Sequence, residues 1–125
     1  MDFPGLFETA RKAETHALSD PCGACFWSRL TLETALKWLY RTDPALRRVY
    51  TDTLAAMIAE PSLEALTGPA IVVKARYIKD QGNRAAHDTG KPLSAHDASA
   101  CVRKLFHVCY WIARTYAKTE RPEPP

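Results

Sequence analysis

Hydrophobic residues recur along the chain at intervals of three and four, a spacing that places their side chains on one face of an α-helix. The first stripe predicts a helix from about Gly5 to Leu18. Asp20-Pro21 has the form of an N-cap followed by a first-turn proline, and predicts a second helix that ends near Arg41, before Asp43-Pro44. The apolar positions are Leu6, Ala10, Ala13 and Ala17 in the first helix and Cys25, Leu32, Leu36 and Leu39 in the second.

The middle of the chain predicts shorter elements. Thr51 or Asp52 can cap a short third helix, and the segment from Pro61 to Leu66 predicts one or two more helical turns. Gly68-Pro69 begins a segment in which Ile71-Val72-Val73 allows a buried strand. Because the residues that follow do not alternate between apolar and polar, the pattern favours a helix there.

The last helix has the clearest signal. Ser94 and Asp97 have the spacing of a capping box, with Asp in place of the usual Glu or Gln. The apolar face that follows covers five turns and predicts burial against other helices. The fold class predicted is an all-α compact bundle of about five helices, with long second and last helices. The last stripe consists of Ala98, Cys101, Leu105, Val108, Cys109, Ile112 and Tyr116.

Composition limits the class of protein. With 125 residues, 46% of them hydrophobic and 25% charged, the chain suits one globular domain and is too short for a barrel enzyme. It has neither a membrane-span pattern nor a signal-peptide start, so a cytoplasmic protein is expected. The segment 119–125 holds three prolines and predicts a linker or tail after a domain over 1–118, as in one piece of a longer polypeptide.

Charge and cysteines add weaker hints. The net charge is +3, and residues 63–125 carry 10 basic against 6 acidic side chains, an excess that can bind phosphate.

Cys22 and Cys25 have CxxC spacing at a helix start, which allows a redox or zinc site. No βαβ pattern or second ligand pair accompanies them, so burial as small hydrophobes is favoured for Cys25, Cys101 and Cys109. No metal or cofactor is expected.

The region before His87 is the candidate for chemistry. We consider first a helix that continues beyond Gly82. In such a helix Asn83 and His87, four residues apart, lie on the same face, and Arg84 lies close to them. Such an imidazole beside amide and guanidinium groups can bind phosphate or transfer a proton near neutral pH. The alternative is that Gly82-Asn83 ends or kinks the helix and His87 bonds a loop carbonyl.

This region resembles the signature of a helical family in the HEPN superfamily. The resemblance covers nearly the whole chain up to about Lys118 and is closest to the N-terminal helical domain of bacterial type I restriction R-subunit-like DEAD/DEAH-box helicases. It depends on the runs 75–87 (ARYIKDQGNRAAH), 94–98 (SAHDA), 105–116 (LFHVCYWIARTY) and 32–40 (LETALKWLY), with shorter matches at Phe7-Glu8, Ala13-Glu14 and 24–26.

The resemblance implies both a chemistry and a departure from it. Catalytic HEPN domains are metal-independent ribonucleases that use an Arg and a His about five positions apart, often with a polar residue after the Arg. Aligned on His87, Asn83 matches the polar position, but Gly82 occupies the arginine position. This departure argues against ribonuclease activity.

The resemblance therefore predicts a non-catalytic helical module of a type I restriction-modification-like helicase or endonuclease subunit, acting in defence against phage or foreign DNA. The parent polypeptide would supply ATP hydrolysis and DNA cleavage. Expected partners are DNA or RNA, through Arg76, Lys79, Arg84 and His87, and a second copy or other subunits of a restriction complex, with no membrane contact. The alternative is a stand-alone, toxin-like ribonuclease that uses His87, Asn83 and Arg84.

Overall fold

A computed structural model describes residues 3–17, 19–51, 53–87 and 93–117. Within these ranges the chain forms six α-helices and no strand, which confirms the all-α helical bundle with long second and last helices. The predicted tail at 119–125 lies outside the described residues. The helices are α1 (Phe3–His16), α2 (Pro21–Thr42), α3 (Leu54–Ala59), α4 (Pro61–Thr67), α5 (Pro69–Ala86) and α6 (Ala95–Tyr116).

The helix starts follow the local capping chemistry. The Asp20 carboxylate accepts a hydrogen bond from the Gly23 N–H at 3.0 Å, and Pro21 opens α2. The capping box of α6 is complete: Ser94 Oγ accepts from the Asp97 N–H, and Asp97 Oδ2 accepts from the Ser94 N–H. Aspartate can therefore replace the usual glutamate at this position.

One sequence prediction needs correction. The third helix is capped by Thr53, whose hydroxyl accepts from the Ala56 N–H at 3.2 Å, and not by Thr51; Asp52 lies outside the described residues. The helix favoured over a strand at 71–73 is confirmed, because these residues lie in α5, where Val72 is buried and Val73 is 58% exposed. Pro69 at the first position of α5 supplies the helical φ that starts it.

The second helix lies at the centre of the core. It packs against α1, α5 and α6, while α3 and α4 cover α5. The apolar stripes predicted for α1, α2 and α6 are buried, except that Tyr116 is only half-buried. The largest fully buried side chains are Leu32, Leu36, Leu39, Met57, Leu63, Ile78, Leu105 and Ile112.

Candidate functional site at the end of α5

The fifth helix continues through Gly82 and Asn83 and ends at Ala86. His87 follows as the C-cap in an extended conformation, with φ −122° and ψ 139°, and its backbone N–H donates to the Asn83 carbonyl at 3.1 Å. The interpretation that Gly82-Asn83 ends the helix is therefore wrong. The imidazole of His87 is exposed, one residue beyond the helix.

Gly82 is buried because α2 crosses α5 at this point. A Cβ atom built on Gly82 would lie 2.4 Å from Cβ of Arg29 and 2.5 Å from its Cδ. Side chains do not approach so closely, so any larger residue would push the two helices apart. An arginine at position 82 is therefore incompatible with this packing.

A guanidinium group nevertheless reaches this region from α2. Arg29 Nε donates to Asn83 Oδ1 at 3.0 Å, and Arg29 Nη1 lies 3.7 Å from Glu33 Oε2. The Arg29 side chain is 33% exposed, so it is only partly shielded from solvent. The sequence does not identify Arg29 as a residue of this site. Its four-residue spacing to Glu33 predicts only an ion pair within α2. Its contact with Asn83 joins residues 54 positions apart.

The basic residues predicted on α5 do not form one cluster. Arg76 is exposed and lies about 10 Å along the helix axis from Asn83. Lys79 Nζ pairs with Asp80 Oδ1 at 3.3 Å. At 100° per residue, Lys79 and Arg84 point about 140° apart, toward opposite edges of the exposed face.

Arg84 is partly engaged by its neighbours. Its Nη1 donates to Gln81 Oε1 at 2.8 Å. Hydrogen bonds from the backbone N–H and side chain of Ser94, together with the positive charge of Arg84, lower the pKa of the Asp97 carboxyl. Arg84 thus has part of its charge compensated, which leaves the exposed Arg76 and His87 more accessible to an anion.

The cysteines have a packing role. Cys25, Cys101 and Cys109 are buried, whereas Cys22 is exposed, so the CxxC pair points in two directions. A hydrogen bond with Cys101 and burial raise the pKa of the Cys25 thiol, and burial raises the pKa of Cys109 to about 12. Cys25 and Cys109 are therefore protonated at neutral pH, as expected of core residues, whereas the hydrogen bond with Cys25 lowers the pKa of Cys101. The prediction of buried small hydrophobes is confirmed.

The described residues contain neither a cluster of metal ligands nor a membrane-spanning helix. Among them no group of three or more His, Cys, Asp or Glu side chains is arranged to hold a metal ion. In the same ranges, none of the helices combines the length and the apolar run needed to cross a bilayer.

No protein-family model, curated protein or solved structure matches this chain. Its function is therefore inferred from the sequence motifs and from the geometry at the end of α5.

Proposed function

We propose that this chain is a non-catalytic helical module of a type I restriction-like helicase or endonuclease subunit in the cytoplasm, and that it contacts the phosphate backbone of nucleic acid. The motif resemblance supports the family and the role in defence against foreign DNA. The packing of Arg29 against Gly82 is the observation that supports a non-catalytic module. It leaves no space at position 82 for the arginine that catalytic HEPN domains use.

The contact with nucleic acid is supported by accessible positive charge. Arg76 and His87 are exposed, and the partly exposed Lys79 and Arg84 lie on either side of Arg76 around α5. Phosphate contacts of this kind give affinity without sequence preference and weaken as salt rises. The same surface can alternatively meet an acidic face of another subunit or of a second copy.

The test measures binding of a labelled DNA duplex to the triple variant Arg76→Gln, Lys79→Gln, Arg84→Gln over a range of salt concentrations. If each residue neutralises one phosphate, the slope of log Kd against log salt falls by up to about 2.7, since each contact contributes about 0.9. The variant Arg11→Gln, Arg103→Gln, Arg114→Gln removes the same number of charges from exposed positions on α1 and α6. Equal slopes for the first variant and the native protein would contradict the proposed contact.

A metal-independent ribonuclease is the second candidate, favoured by the hydrogen bond from Arg29 to Asn83. In that arrangement Arg29 would stabilise phosphate charge in place of the missing arginine, His87 would transfer the proton, and Asn83 and Arg84 would position the RNA. RNA is incubated with the native protein and with His87→Ala, with and without EDTA. Cleavage that requires His87 and resists EDTA would overturn the non-catalytic proposal.

A further inference from the structure

A groove of about 840 Å³ lies between the C-terminal end of α2 and the segment 43–51 that follows it. Its basic residues are Lys37, Arg41 and Arg48, and its aromatic residues are Tyr40 and Tyr50. None of the described residues that line it is acidic. We call it the α2 groove; its volume is within the range of sites that hold ligands of nucleotide size.

The segment that forms one wall of the α2 groove is anchored. Leu46 is buried, and the Arg47 N–H donates to Ser62 Oγ at 3.0 Å. On the opposite wall, the Tyr40 hydroxyl donates to the Met57 carbonyl at 2.6 Å, which fixes that ring. The groove is therefore preformed.

Tyr50 stands apart from the rest of the wall. It is fully exposed, whereas the neighbouring Val49 packs against the core. Arg48 and Arg41 are also exposed. An open aromatic ring beside guanidinium groups is the arrangement with which proteins bind single strands, because any base can stack on the ring while the cations follow the phosphates.

We propose that the α2 groove binds single-stranded nucleic acid, with a base stacked on Tyr50 and the adjacent phosphates held by Arg41 and Arg48. Lys37, at the end of the groove, pairs with Glu33 Oε1 at 3.2 Å, so Arg41 and Arg48 supply the accessible positive charge. None of these residues lies on α5. The inference thus goes beyond the proposed contact through α5 and does not depend on it.

The test uses fluorescence anisotropy with a labelled single strand of about 12 nucleotides, within the span of known single-strand sites, in DNA and RNA forms and as a duplex. The variants are Tyr50→Ala, Tyr50→Phe and the double variant Arg41→Gln, Arg48→Gln. Loss of one stacked base weakens binding by roughly tenfold, so Tyr50→Ala should raise Kd by that factor while Tyr50→Phe retains native affinity. The double variant should reduce the salt slope by about 1.4, since each single-strand phosphate contact contributes about 0.7.

The control is Arg11→Gln, Arg103→Gln, which removes two exposed charges outside the groove. Equal Kd for Tyr50→Ala and the native protein, equal losses in the control and in the double variant, or no binding of the single strand at low salt would each overturn the proposal. Because the residues on α5 are unchanged in these variants, failure here is distinct from failure of the proposed function. Melting temperatures check that each variant is folded.

Discussion

At the scale of single residues, the hydroxyl of Tyr116 joins the end of α6 to the residue that ends α2. It donates to Asp43 Oδ2 at 2.6 Å, while Asp43 Oδ1 accepts from the Ala45 N–H at 2.9 Å. These bonds lower the pKa of the Asp43 carboxyl, the bond from Tyr116 contributing most. The ring of Tyr116 also makes edge contacts with Trp38 and Trp111.

Replacing Tyr116 with Phe should keep the ring contacts and remove only the hydroxyl. A hydrogen bond to a charged group contributes about 1.5–3 kcal/mol, and partial exposure of this pair reduces the expected loss to about 1 kcal/mol. The free energy of unfolding from urea titration at pH 7 measures it. Tyr110→Phe is the control on the same helix, because that hydroxyl only accepts a 3.5 Å contact from Arg114. Equal stability of the two variants would contradict the assigned role of the Tyr116–Asp43 bond.

At the scale of elements, the crossing of α2 and α5 depends on Gly82. The missing side chain lets the backbone of α5 approach the Cβ and Cγ of Arg29. Arg29 then reaches along α5 to Asn83. One glycine thus sets both the spacing of two core helices and the position of a guanidinium group.

Gly82→Ala is expected to destabilise the domain. Alanine gains about 1 kcal/mol over glycine in helix propensity, but overpacking at this contact costs about 1–3 kcal/mol, and the clash is with Cβ, which cannot rotate away. The melting temperature should therefore fall or, at the low end, stay level instead of rising. Val73→Ala, at an exposed position of the same helix, is the control for propensity alone. A Gly82→Ala protein more stable than native would show that the helices separate freely.

The helices were predictable because their signals are local. The signals that begin a helix act within a few residues of one another. Asp20 with Pro21 predicts the start of α2, the Ser94–Asp97 pair predicts the start of α6, and the apolar spacing predicts the buried face of each helix. The cap at Thr53 was missed by one or two residues because several polar residues there can accept the same N–H groups. The contact of Arg29 with Gly82 and Asn83 was not predictable, since it depends on how two helices cross.

At the scale of the whole molecule, stability should respond to acid in two stages. Burial, together with the charges of Lys74, Arg103 and Lys104, lowers the pKa of His107 below its ordinary 6.5. Its Nδ1 is buried without a hydrogen-bond partner among the described residues. Hydrogen bonds also lower the pKa values of Asp43, Glu60 and Asp97.

The sign follows from proton binding. A lowered pKa means that the unfolded chain binds the proton first, so each group stabilises the fold above its unfolded pKa and this contribution is lost as the pH falls. The melting temperature should begin to fall below about pH 6.5 through His107 and fall further below about pH 4 through the carboxylates. His107→Gln should remove the first stage only. A fall in the melting temperature of this variant between pH 7.5 and 5.5 as large as that of the native protein would contradict the assignment.

The packing of Gly82 also restricts how the sequence can change by mutation. A single substitution of this glycine by arginine, which would complete the ribonuclease-type spacing to His87, has to separate α2 from α5. Trimming Arg29 to alanine would not help, because the nearest contact is with its Cβ. A chain with this packing can thus accommodate an arginine at position 82 only with a glycine at position 29 or with a shift of the helix crossing.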